Sequence, residues 1–189
     1  MSGFDANESL RGKLLLSAPS LFDPNFRRTV LLIAEHTPEG AMGLVLNRPA
    51  EVTVAEAIPD LAWLTPDGVE PVYAGGPVAT DSVVVLAEFA EPELAAALVV
   101  GDVGFVPASS QDSAELAGAV LRTRVFAGHA GWGPGQLEAE MEENSWIVEA
   151  AVPDDAFTED PQALWAKVMR RKGSDYRLLA SMPVDPTLN

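Results

Sequence analysis

Apolar runs along this chain are short and regularly punctuated. KLLLSA (13–18) reads as a strand that Pro19 ends. TVLLIAE (29–35) is apolar throughout its centre, the pattern of a strand buried on both faces. His36-Thr37-Pro38-Glu39-Gly40 has turn chemistry and MGLVL (42–46) returns, which predicts a hairpin closed by Asn47-Arg48-Pro49. Val72-Tyr73 leads into a tight turn at Gly75-Gly76-Pro77, and SVVVLAE (82–88) is a further buried strand. Residues 98–106 predict a second hairpin around Gly101-Asp102. From Arg124 to Val148 the pattern reads strand, glycine-dense turn over 128–136, short acidic helix, strand.

Helical signals are fewer. Thr53 with Glu56 fits a capping box, opening a short helix that Pro59 interrupts. Asp23-Pro24 has the chemistry of a turn or a single helical turn. Ser110 caps a predicted helix over 111–122, with Leu116 and Val120 on its inner face, and a second is predicted over 135–143. Asp160-Pro161 opens the best-marked helix, 161–172, with Leu164, Trp165 and Val168 on one stripe and Gly173 after its end. Residues 1–11 read as a disordered polar tail, 12–189 as one domain, and 174–189 as a helical turn with an extended tail. Strands outnumber helices and hairpins recur. The expected fold is therefore α+β, a single domain with a mixed, mostly antiparallel sheet and flanking helices.

Composition narrows the function. Apolar residues make up 48% of the 189, enough for a substantial core. No run approaches the ~20 apolar residues that span a bilayer, and the N-terminus lacks a signal-peptide pattern, so a cytoplasmic protein without membrane partners is expected. The absence of cysteine excludes disulfides, thiolate zinc sites and a cysteine nucleophile. A net charge of −16 opposes contact with phosphate backbones, so no direct nucleic-acid binding is expected. The one dense basic cluster, Lys167, Arg170, Arg171, Lys172 and Arg177, suits a helix C-terminus, where the macrodipole favours cations.

Candidate chemistry centres on the 128–136 stretch. Gly128, Gly131, Gly133 and Gly135 surround His129 and Trp132, and that density implies positive φ or close backbone approach. A pocket is expected there, with His129, Trp132 and Gln136 reaching it and Gly75, Gly76 and Pro77 forming the opposite rim. No nucleophile elbow, zinc helix or phosphate-binding loop is present in the sequence, and neither a cofactor nor a metal is expected. Glu138, Glu140, Glu142 and Glu143 read as a solvated acidic face. Glu35-His36 and Asn47-Arg48, placed as neighbours across the first hairpin, read as internal hydrogen-bonding and ion-pairing groups.

Four segments taken together, KLLLSAPSLFDPNFRRTVLLIAEHTPEGAMGLVLNRP, VYAGGPV, GHAGWGPGQLEAEMEENSWIV and LWAKVMRRKGSDYRLLASMP, resemble the YqgE/AlgH family. The resemblance runs from about Gly12 to the C-terminus. It implies a compact α+β domain of the bacterial cytoplasm and little about activity. The family's label as a transcriptional regulator comes from one branch linked to alginate synthesis. The family often carries Tyr or Phe where this chain has His129, so an imidazole mechanism is not general to it. The expected function is a non-enzymatic binding or regulatory module acting through a protein or small-molecule partner. The rival is a hydrolase using His129 as general base with loop amides as an oxyanion site. Direct DNA regulation rests on the family label and is opposed by charge.

Overall fold

A chain whose buried strands are apolar on both faces needs cover on both sides of its sheet, and the computed structural model supplies it. The structure describes residues 8–19, 26–65, 67–108 and 114–181. In chain order these form β1 (Lys13–Ser17), β2 (Val30–Thr37), β3 (Gly40–Val45), β4 (Pro49–Thr53), α1 (Val54–Ala57), a 3-10 turn (Pro59–Leu64), β5 (Pro71–Ala74), β6 (Val78–Phe89), β7 (Ala97–Val100) and β8 (Val103–Phe105). There follow α2 (Ala114–Ala119), β9 (Val120–Trp132), α3 (Gln136–Glu142), β10 (Trp146–Ala150), α4 (Pro153–Ala156), α5 (Pro161–Lys172) and α6 (Ser174–Ser181). The sheet runs β10-β1-β2-β3-β9-β6-β8-β7, with β5 pairing both β4 and β9. Among the described residues every pairing is antiparallel except β5 with β9, where Tyr73 faces Phe126. The fold is α+β in one domain, as the hairpin pattern implies.

Alternation along β1 and β2 sends successive leucines to opposite faces. Leu14, Leu16, Leu32, Leu44 and Phe126 meet Leu164, Trp165, Val168 and Met169 of α5 on one side. Leu15, Leu31, Ile33, Val45, Ala130 and Trp132 meet Leu137 and Met141 of α3 on the other. The indole of Trp165 donates to the Ser17 carbonyl at 3.1 Å, so the largest core ring also fixes where α5 crosses β1. A third cluster packs Val85, Ala87, Phe89 and Val125 against Leu61, Leu64 and Leu116.

Local signals hold where chemistry is short-ranged. Thr53 Oγ1 accepts from the Glu56 amide and the Glu56 carboxylate accepts from the Thr53 amide, completing the capping box. Asp160 accepts from the Ala163 amide at the start of α5. Asp23-Pro24, the Ser110 cap and the tail beyond Ser181 lie outside the described residues, as do residues 1–7. Of the remainder of the expected N-terminal tail, Leu10 is buried, its amide donating to His36 Nδ1 at 2.9 Å.

Two expectations are corrected. The helix expected over 111–122 ends at Ala119, because Val120, Leu121 and Arg122 are drawn into β9 by pairing with β6, with Val120 opposite Phe89 and Arg122 opposite Glu88. Likewise the turn expected over 128–136 is strand as far as Trp132, since Ala130, Gly131 and Trp132 pair with Gly43, Met42 and Ala41 of β3. Only residues 133–135 turn. β4 and α4 have no counterpart in the sequence reading. Among the described residues, no helix is long and apolar enough to cross a membrane.

Candidate functional site

Gly128 of β9 and the Gly75-Gly76 pair between β5 and β6 are required by close backbone packing. Gly75 lies between strands, its amide donating to Ala127 and its carbonyl accepting from Val45, both at 2.9 Å. Gly76, at φ 153°, presses on β9 so closely that an added Cβ would lie 2.2 Å from the Ala130 nitrogen. Gly128, at φ 69°, answers from the other side, where a Cβ would meet the Gly76 carbonyl at 2.7 Å. Side chains are excluded here so that the β5–β6 connection can cross β9.

Strand geometry then divides the expected site residues. His129 and Trp132 are three apart in an extended segment and therefore face opposite ways. His129 is half-buried and shares its face with Val78 and the Gly131 position. Its ring makes no hydrogen bond within the described residues. Trp132 is buried on the α3 side and lines a cavity of about 400 Å³ together with Pro77, Gln136, Phe26, Glu140 and Trp146. Pro77, Trp132 and Gln136 are thus brought together. His129, Gly75 and Gly76 do not line that cavity.

The cavity wall is organised by Glu140, which the sequence reading assigned to a solvated face. One carboxylate oxygen accepts from the Trp132 indole at 3.0 Å and from the Trp146 indole at 2.8 Å. The other accepts from the Gln136 amide at 3.2 Å, and Gln136 in turn receives the Gly133 amide at 3.1 Å. The rings meet edge to face, with Trp132 and Trp146 centroids 6.5 Å apart and Phe26 and Trp146 6.0 Å apart. A signal was present in the sequence: Gln136 and Glu140 are i and i+4 on α3, one helix face. Their turning inward toward two tryptophans depends on β10 lying beside β1.

Glu138 has a structural task. Its carboxylate meets His36 Nε2 at 2.7 Å, and His36 Nδ1 accepts the Leu10 amide, so one imidazole ties α3, the first hairpin and the chain before β1 together. Asn47 and Arg48 are also internally bonded, Asn47 receiving the Val30 amide at 3.0 Å and Arg48 donating to Thr29 Oγ1 at 3.1 Å. The two pairs are not neighbours across the hairpin, however. Glu35 and His36 sit at its turn end opposite Met42 and Ala41, whereas Asn47 bonds at the open end beside Val30.

The Glu138 carboxyl is held below its ordinary range, chiefly by its own backbone N–H at the start of α3 and secondarily by His36, against an opposing effect of burial. A depressed carboxylate contributes stability that is fully present above the unfolded value and is lost as pH falls through the folded one. Wild type should therefore lose melting temperature more steeply than Glu138→Gln below about pH 4.5, and the two should differ by a constant amount above pH 6. Parallel thermal melts across pH 3–7 check this. Coincident acid slopes would remove Glu138 from the pH response.

Comparison with known proteins places this geometry in a lineage. The AlgH-like family profile (DUF179) matches residues 14–177. A UPF0301 protein of Streptomyces coelicolor is 43% identical over 196 aligned positions, covering 100% of both chains. A UPF0301 protein of Chlorobaculum tepidum is 39% identical over 94% of this chain and 95% of its own. Those names state a family and no activity. The crystal structure of a Corynebacterium diphtheriae protein superposes with a TM-score of 0.83 at 30% identity, over 96% of this chain and 95% of the other. The solution structure of AlgH from Pseudomonas aeruginosa gives 0.70, also at 30% identity, over 97% and 98%. By sequence along its length and by fold, the chain belongs to the AlgH-like family.

Proposed function

We propose that the protein is a non-enzymatic binding module whose indole-walled cavity receives a basic side chain, lysine or arginine, of a partner protein. One observation carries this reading: the Glu140 carboxylate is fixed among Trp132, Trp146 and Gln136 at the cavity wall. A carboxylate offers about four lone-pair positions. Three are used by these donors, leaving one for a further N–H. Aromatic walls beside a held anion favour a cation over a neutral or anionic guest. The net charge of −16 steers basic partners toward the surface and repels phosphate backbones. Direct DNA regulation is accordingly not part of this reading, and two of the five cations between Lys167 and Arg177 are held internally, Arg171 by Asp155 and Lys172 by the Val148 carbonyl.

The hydrolase alternative draws little support from the same geometry. His129 faces away from the cavity, and no second polar side chain lies within hydrogen-bond reach of its ring among the described residues. The test follows the Trp132 and Trp146 indole N–H resonances of labelled protein during titration with N-acetyl-arginine amide. N-acetyl-glutamate amide and a DNA duplex serve as anionic controls. The basic probe should move both indole signals, the controls should not, and Glu140→Gln should abolish the response while the protein remains folded. Indole signals that ignore the basic probe, or respond equally to the acid, would overturn the proposal.

A further inference from the structure

A second and larger cavity, about 720 Å³, opens on the opposite part of the sheet between β9, the β4–β5 region and the segment before α5. Its volume falls in the range of small-molecule sites, ~300–1,000 Å³. Arg124 of β9 lines it and is only 8% exposed. The guanidinium stacks 4.3 Å from the Tyr73 ring centroid. Among the described residues its one hydrogen bond runs from Nη2 to the Thr158 carbonyl at 3.1 Å. Nε and Nη1 are buried and have no acceptor among the described residues.

The contrast with neighbouring arginines sharpens this. Arg122, two residues away on the same strand, pairs with Glu88 at 2.7 Å and Asp154 at 2.9 Å. Arg171 grips Asp155 with both terminal nitrogens. Among the described residues no carboxylate pairs with Arg124, although Glu70 is near enough to act on it through space. Burial pushes the Arg124 pKa down, with Tyr73 and Glu70 acting the other way. Buried arginine donors in folded proteins are almost always satisfied, and their natural partner is a planar oxyanion taken by two parallel N–H groups.

The rest of the lining specifies the ligand class. Leu64, Val69, Leu121 and Phe157 supply apolar surface, and Val69 and Leu121 remain 71% and 63% exposed at the cavity edge. Asp67, Glu70 and Glu159 also line it and repel multiply charged anions such as phosphate esters, whereas one negative charge is matched by Arg124. We propose that this cavity binds a small monocarboxylate with an apolar body, its carboxylate on Arg124 and its body against Leu121 and Phe157. Nε and Nη1 are closed to water, so the ligand reaches them when the guanidinium turns on the Tyr73 ring toward the cavity. The site is independent of the basic-side-chain pocket: it lies elsewhere, has the opposite charge preference, and shares no residue with it.

The full-length labelled protein should be titrated with hexanoate, with hexanamide as the uncharged match and pyrophosphate as the polyanion, following the Arg124 Nε–H signal and the amides of Tyr73 and Thr158. Hexanoate should move all three and hexanamide none. Arg124→Met should weaken hexanoate binding about tenfold or more, and Leu121→Trp, which narrows the mouth without touching Arg124, should weaken it as well. Should Arg124→Met fail to fold, the Leu121→Trp and hexanamide comparisons still decide. Equal binding of hexanamide, tighter binding of pyrophosphate, or an Arg124 signal that hexanoate leaves unmoved would each overturn the assignment.

Discussion

Trp132→Ala is expected to cost ~3–5 kcal/mol of folding stability, the range for removing a large aromatic from a core. The ring is 8% exposed and belongs to the cluster of Leu15, Leu31, Ile33, Val45 and Leu137, close enough to β3 that a Cβ on Gly43 would touch it at 3.4 Å. Two losses combine: transfer of indole surface, and a cavity that the rigid strands β3 and β9 cannot collapse into. Glu140 also loses one of its donors. For a domain of this size the melting temperature should fall by roughly 6–20 °C, taking 2–4 °C per kcal/mol. Trp132→Phe separates the contributions, because it retains most of the buried area and gives up the indole N–H. It should cost roughly 1.5–3 kcal/mol, the worth of a hydrogen bond to a charged group. Urea titrations of the three proteins measure this. A cost below about 1 kcal/mol for the alanine variant would mean that the ring serves a site without holding the sheet.

Breaking the Arg171–Asp155 pair should be comparably damaging and asymmetric. Asp155 is 1% exposed and accepts from Arg171 Nη1 at 2.9 Å, Arg171 Nη2 at 2.8 Å and the Val152 amide at 2.9 Å. Arg171 also donates to the Ala150 carbonyl at 2.9 Å and is about one-third exposed. Arg171→Met leaves a buried carboxylate with a single donor and should cost ~3–5 kcal/mol. Asp155→Ala leaves a cation that keeps one bond and reaches water, so its cost should fall at or below the bottom of that range. The double variant should be more stable than the sum of the single losses predicts, since the stranded charge is gone. Equal single-variant costs with strict additivity would show that the pair is not coupled. The consequence for the fold is the anchoring of α5 to β10 and α4, which the macrodipole reading of Lys167–Arg177 did not foresee.

In the candidate site, the residues grouped by sequence are only partly neighbours in space. Pro77, Trp132 and Gln136 do share a cavity, yet the glycines around them mark a chain crossing and a paired strand. Glu140, which organises the cavity with Trp146, was visible only as an acid on an acidic helix. Phe26 comes from before β2. Such a wall assembles from segments more than a hundred residues apart, and no local pattern encodes which of them will be neighbours.

The features legible along the chain are local. The doubly buried β2, the Thr53–Glu56 box, the Asp160-Pro161 start of α5 and the antiparallel character of the sheet follow from side-chain period, capping chemistry and short hairpin turns. These depend on residues a few positions apart. Contacts between distant segments set the remainder. Pairing of β9 with β3 and β6 turned an apparent glycine loop into strand, and the two-residue period of that strand parted His129 from Trp132. The same pairing ended α2 at Ala119 and placed Arg124 in a buried position of β9. Each outcome was set by backbone hydrogen bonds between distant segments, which a glycine-rich sequence permits and does not specify.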